Sequence, residues 1–386
     1  MGCSAEWSFF ASVRRRLDTG VAKAQKGRAS HGLQRPGDRI VIGLVAENFS
    51  MRPKNSADYR TLLWVAMAAA LVAMQFAWPR TVLYALPFSC YLAIACGVIA
   101  HNHNHRPTFV GRRANNLFGH VLTIFYGYPT LMWVPTHNLN HHRFVNRPGD
   151  ATITWRYTNR HNLVVAATYF LVSGYFQSEP IQRYIRHAKL TNRRLYARIM
   201  FQYGVWAGFY GLMLALAVAL HIREHLGFVV WFCALVLPGL CSIATLMFFN
   251  YIQHVHADAG SENDHSRNFT SKTFNFFFFN NGYHTVHHEK PGLHWSALPA
   301  AHMQMAHAIN PRLNEGSLAW FLLRQYLLAP LIPRLGTRQL GPDPGPLSDV
   351  RAAAPLDECP VAVSSPMIRE GVAAGVSGPA TAPPSS

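Results

Sequence analysis

Four short histidine-rich stretches carry the groups in this sequence most able to do chemistry. They are His101-Asn102-His103-Asn104-His105, His137-Asn138-Leu139-Asn140-His141-His142, Asn250-Tyr251-Ile252-Gln253-His254 and His284-Thr285-Val286-His287-His288. Residues four apart lie one turn above each other on a helix face. The pairs His101/His105, His137/His141, Asn250/His254 and His284/His288 all have that spacing. His142 and His287 add imidazoles that could reach a second metal. Nine imidazoles and one amide converging on one place exceed the roughly four to six ligands a single metal takes, and suit two adjacent metals.

Ligand type narrows the metal. Imidazole suits Zn, Cu, Fe and Ni. No cysteine accompanies the clusters, which disfavours Fe–S and structural zinc, and zinc hydrolases use about three protein ligands and a water. Two irons, redox-active and with open positions for O₂, fit best. Of the other histidines, His103 points off the His101/His105 face and is read as structural, as are His120, His161, His187, His221, His225, His302 and His307. His256, His265 and His294 stay open as outer partners. Ligating imidazoles usually donate their second N–H to a carboxylate or carbonyl, and Asp150, Asp258 and Glu289 are the nearby candidates.

The elements that must hold these residues are apolar. Half of the 386 residues are hydrophobic and 14% are charged, against about 25% in a soluble domain. Four runs reach bilayer-spanning character: Thr61–Trp78, Thr81–Ala100, Met200–Leu220 and Gly227–Phe249. Ser56 and Asp58 could start the first, and Pro238 could kink the last. Asn115–Pro135, broken by Gly119, Gly127, Pro129 and Pro135, reads as an interfacial or re-entrant helix, and Leu163–Phe176 is too short to cross. Ser317–Leu331 is amphipathic. The expected fold is all-α: four transmembrane helices as two hairpins, with a helical cytoplasmic cap holding the metals.

The net charge of +17 follows from basic loops. The turns at Arg80 and Arg223 hold little of it, so the positive-inside rule puts both termini and the long central loop in the cytoplasm. This explains the charge without a nucleic-acid partner. Residues 1–55 read as a basic flexible arm, 56–340 as the membrane domain, and 341–386, rich in Pro and Ala, as a disordered tail. Cys90, Cys96, Cys233 and Cys241 sit in apolar runs, with Cys3 and Cys359 in the tails, and none forms a CxxC pair.

On these stretches the chain resembles the membrane fatty-acid desaturase and hydroxylase superfamily. His101–His105, His137–His142 and His284–His288 correspond to its three histidine boxes, in the order two spans, two boxes, two spans, third box. Asn250–His254 looks like the NxxxH element of acyl desaturases, in which the Asn holds one iron through a water. The resemblance, covering roughly Thr61 to Pro333, implies two iron ions ligated by His101, His105, His137, His141, His142, His254, His284, His287 and His288, with Asn250 acting through water, and O₂ as co-substrate. It implies desaturation of a fatty-acyl or lipid chain. Box two, His137 to Val145, also looks like that of alkane hydroxylases, so hydroxylation of a lipid, alkane or carotenoid is the second reading. Electrons come from outside, from a ferredoxin, rubredoxin or cytochrome b5-like donor, since no haem-attachment, rubredoxin-like or GxGxxG motif is present. A membrane metal transporter is the rival from another class, but it would set its ligands near the bilayer midplane.

Overall fold

The computed structural model describes residues 48–221 and 225–348. The expected basic arm up to residue 47 and the tail from residue 349 lie outside them. Regular structure is helical apart from one parallel pair of two-residue strands, Asn268–Phe269 with Asn314–Glu315.

Helix α1 (Asp58–Ala77) turns at Pro79–Thr81 into α2 (Val82–His105). Two polar contacts join them: the Gln75 amide donates to Ser89 Oγ at 3.0 Å, and the Trp64 indole N–H to the Tyr91 hydroxyl at 2.6 Å. Neither Ser56 nor Asp58 caps α1 through its side chain. Asp58 is buried and accepts from the Trp295 indole at 3.0 Å, with the His294 imidazole at 3.2 Å.

α3 (Arg112–Tyr126) ends at Gly127, whose φ of 89° is left-handed. The apolar stretch through Pro135 is thus a helix, a turn at Gly127–Pro129, a 3₁₀ turn over Thr130–Met132, and the start of a π-helix, Val134–His141. α4 corrects the reading of Leu163–Phe176 as a short piece: it runs Leu163–Thr191, 29 residues. The apolar run ends near Phe176, but the helix continues as a charged half, laced by the Glu179–Arg183 pair one turn apart.

α5 (Arg193–His221) is followed by Gly227–Trp231, a π-segment at Phe232–Val236, and α6 (Leu237–His254). Pro238 stands two residues after the end of that π-segment, the kind of irregularity a proline's missing N–H accompanies. α6 lies along α2, where Ser242 Oγ donates to the Ala93 carbonyl at 2.8 Å. A Cβ on Gly97 would stand 2.4 Å from Leu246 Cδ1, so α2 needs a glycine there. The short α7 (His284–Glu289) and α8 (Leu318–Leu323, continued by a π-segment at Arg324–Leu328) complete the site-bearing part.

Among the described residues, four helices are long and apolar enough to cross a membrane: Asp58–Ala77, Pro79–His105, Arg193–Leu220 and Gly227–His254. The second and fourth extend past their expected C-terminal ends, because the histidine-bearing segments of α2 and α6 continue these helices without a break, and the third begins seven residues earlier, at Arg193. Large apolar side chains on these helices, among them Leu83, Phe88, Leu212 and Leu216, are exposed. Such a surface is unfavourable in water and suits hydrocarbon. Residues 341–348 still touch the body: the Leu347 N–H donates to the Arg156 carbonyl at 3.1 Å, and the Asn159 amide to Asp343 at 2.9 Å.

Candidate metal centre

The ends of α2 and α6, the π-helix and α7 bring all nine clustered histidines together in two adjoining groups. The first holds His101, His105, His137, His142 and His287; the second holds His141, His254, His284 and His288. Within each, one nitrogen per ring lies within 4.8 Å of all the others. His101 Nε2 is 2.8 Å from His137 Nε2 and 3.0 Å from His287 Nε2, and His142 Nε2 is 3.0 Å from His287 Nε2. In the second group His254 Nε2 is 2.9 Å from His284, 3.1 Å from His141 and 3.2 Å from His288.

The grouping follows local helix type. On α2, His101 and His105 are one α-turn apart and fall in the same group; so do His284 and His288 on α7. The second box does not follow that rule. It sits on a π-helix, whose hydrogen bonds run i to i+5, so His137 shares a group with His142, their Nε2 atoms 3.1 Å apart. The expected His137/His141 pair is split between groups. Each HH pair contributes one residue to each group, as the sequence reading allowed.

Outer contacts fix part of this arrangement. His141 Nδ1–H donates to Asp150 Oδ2 at 2.8 Å, and His254 Nδ1–H donates to the His265 carbonyl at 3.0 Å. Asp150 also accepts from the Asn146 N–H, the Thr152 N–H and Thr152 Oγ1. Burial alone would raise its pKa, but His141 and these donors outweigh that and hold it at about 2. Of the three candidate carboxylates, Asp150 alone meets a clustered histidine. Glu289 pairs with His265 Nε2 at 3.2 Å, and Asp258 accepts from the Gly260 N–H in a turn. Asn250 lies one turn before His254 and donates to the Tyr169 hydroxyl at 2.8 Å; that hydroxyl donates to the Thr152 carbonyl.

Burial, with the neighbouring imidazoles adding to it, pushes the pKa values of His137, His142, His284, His287 and His288 well below the usual histidine range. These rings are neutral at pH 7 and ready to act as ligands. The donor set fits a metal. When Nδ1–H is committed on both His141 and His254, their Nε2 atoms lie 3.1 Å apart, a separation that a shared proton or a bound metal cation would satisfy. His105 Nε2 is buried with no protein partner.

Other histidines lie outside the two groups. His103 turns away, with Nδ1 2.9 Å from Thr108 Oγ1 and Nε2–H donating to the Asn115 carbonyl at 3.2 Å. His161 bonds Tyr326 and Thr337, and His256 bonds Thr337 and the Asn159 carbonyl, both away from the groups. Sequence reasoning missed Asn146, Thr152 and Tyr169. The turn-forming run Asn146-Arg147-Pro148-Gly149-Asp150 was the available signal for the first two.

An apolar cavity of about 180 Å³ reaches both groups: His101 and His137 of the first and His141 and His284 of the second line it, with Asn250. Its other walls include Trp133, Leu246 and Phe249, with Gly174 and Gln177 of α4.

No curated protein and no solved structure matches the chain. Residues 76–316, more than half of the chain and spanning every clustered histidine, match the sequence profile of the fatty acid desaturase family. With four membrane-length apolar helices and two histidine groups able to hold metal, the chain belongs to the fatty acid desaturase family, membrane proteins of the histidine-box desaturase and hydroxylase superfamily.

Proposed function

We propose that the protein is an O₂-dependent di-iron desaturase acting on a fatty-acyl or lipid chain. The observation that carries this reading is one cavity, walled by apolar side chains, that touches both histidine groups. His101, His105, His137, His142 and His287 would hold one iron, and His141, His254, His284 and His288 the other. Asn250 would complete the second through a water. Bound iron would supply the redox chemistry: O₂ takes up two electrons from a donor and two hydrogens from adjacent methylenes, and with two protons leaves as water.

The chain's own residues do the positioning. Asp150 and the His265 carbonyl set the tautomers of His141 and His254. Tyr169 holds Asn250, and the cavity walls order a methylene chain and exclude water. The donor is external, a ferredoxin, rubredoxin or cytochrome b5-like protein. The membrane arrangement that suits this chemistry is two helical hairpins, formed within residues 56–340, with both termini and a metal-holding cap on the cytoplasmic side.

Lipid profiling of cells with and without the protein tests the reading: a product two hydrogens lighter than its precursor is expected, and iron-loaded protein that gives no oxidised lipid with a working donor sinks it. A product one oxygen heavier would support the hydroxylase reading, which the His137–Val145 segment favours by its likeness to alkane hydroxylases. A transporter is disfavoured because the histidines gather at the ends of α2 and α6.

A further inference from the structure

Beyond the histidines, the chain after α6 encloses a second, polar cavity of about 450 Å³. Arg267, Arg312, Arg324, Arg334 and Arg338 line it, against one carboxylate, Glu315. Glu315 is taken by Arg324 at 2.6 Å. Arg267 is buried; its Nη1 donates to the Ile252 and Val255 carbonyls, and its Nε has no protein partner. Arg312, Arg334 and Arg338 are exposed, and among the described residues none is paired with a carboxylate. Glu315 offsets one of the five guanidiniums and leaves an excess of positive charge around the space, and the guanidinium fork is suited to phosphate.

The flank of the cavity says where that phosphate comes from. Trp320 of α8 lines it and is itself half exposed. Leu323, Leu327, Leu331 and Ile332 continue the exposed apolar surface. Apolar side chains beside a cluster of arginines match the boundary of a bilayer, with acyl chains on one side and headgroups on the other.

We propose that this cavity binds the phosphate of an anionic glycerophospholipid in the leaflet on which α8 rests. The site is distinct from the histidine groups and seats the C-terminal part of the protein on the membrane. The test uses the full chain in non-ionic detergent, titrated with dihexanoyl phosphatidylglycerol, dihexanoyl phosphatidylcholine and inorganic phosphate. Phosphatidylglycerol should bind at least tenfold tighter than phosphatidylcholine or inorganic phosphate. The Arg334→Ala/Arg338→Ala variant should lose at least tenfold of that affinity. Lys54→Ala/Lys272→Ala, which removes the same charge elsewhere, should not. Both variants alter exposed side chains, and unchanged melting temperature and metal content check that they fold. Equal binding of phosphatidylglycerol by the arginine variant and the parent would overturn the proposal. So would inorganic phosphate binding as tightly as the lipid, which would make this a free-phosphate site. Arginine-dependent capture of an acidic ferredoxin, with lipid affinity unchanged, would make it a protein-docking surface and overturn it too.

Discussion

Asp150 and His141 meet at 2.8 Å, both fully buried, and the carboxylate takes three further hydrogen bonds from Asn146 and Thr152. Asp150 therefore acts on the second histidine group through His141. Asp150→Asn keeps the size but makes the pairing with His141 uncharged and weaker. We expect metal affinity or turnover to fall roughly 10–100-fold, read as iron content by elemental analysis beside lipid product. Full iron and full turnover in this variant would remove the positioning role.

Ala at any of the nine grouped histidines should abolish turnover. Because the groups are separate, loss of His137 or His254 should leave about one iron in place of about two. His103→Ala should keep both, since that ring bonds Thr108 and Asn115. Elemental analysis of the three variants decides this, and iron loss confined to His103→Ala would reverse the assignment of the first box.

Acid should destabilise the metal-free protein. His137, His142, His284, His287 and His288 have pKa values depressed by burial and by one another. In the unfolded chain they titrate near 6.5. The folded state then binds fewer protons below that pH, so the stability these neutral rings provide is full above about 6.5 and is lost as pH falls through it. Melting temperature in detergent should drop between about pH 7 and pH 5; a flat profile would contradict their burial as neutral rings.

Gly127 is placed where a side chain has no room. Its φ is 89°, and a Cβ would stand 2.5 Å from Gly239 Cα, backbone against backbone. Gly127→Ala should cost about 1–3 kcal/mol through combined strain and displacement of α6. A melting temperature equal to the parent's would show that the turn and α6 separate freely.

Gly174 lines the apolar cavity, and a Cβ there would meet nothing within 4 Å. Gly174→Phe should therefore fold and narrow the channel, shifting product toward shorter or no chains with iron content unchanged. Unaltered chain-length preference would place the substrate path elsewhere.

Much of this architecture was legible because apolar runs and histidine spacing are local signals. The four membrane-length apolar helices were visible, with ends displaced by up to seven residues, and all nine grouped histidines stood in recognisable motifs. The split within the second box was not visible, because periodicity reasoning assumes an α-turn and the backbone there adopts a π-turn, pairing His137 with His142. The full length of α4 was hidden because its second half is charged and carries Pro180. The arginine cavity was hidden for another reason: Arg267 and Arg338 are 71 positions apart in the sequence, and only the fold brings them together.

The contact between His101 and His287, 3.0 Å in space and 186 positions apart in the chain, has a consequence for biogenesis. The ribosome has finished α2 long before α7 is synthesised. Until then the first group lacks one of its five imidazoles, and the second lacks two of its four, His284 and His288. The two histidine groups can therefore not both be complete before residue 288 has been made, and a chain cut short ahead of it lacks the finished pair of groups.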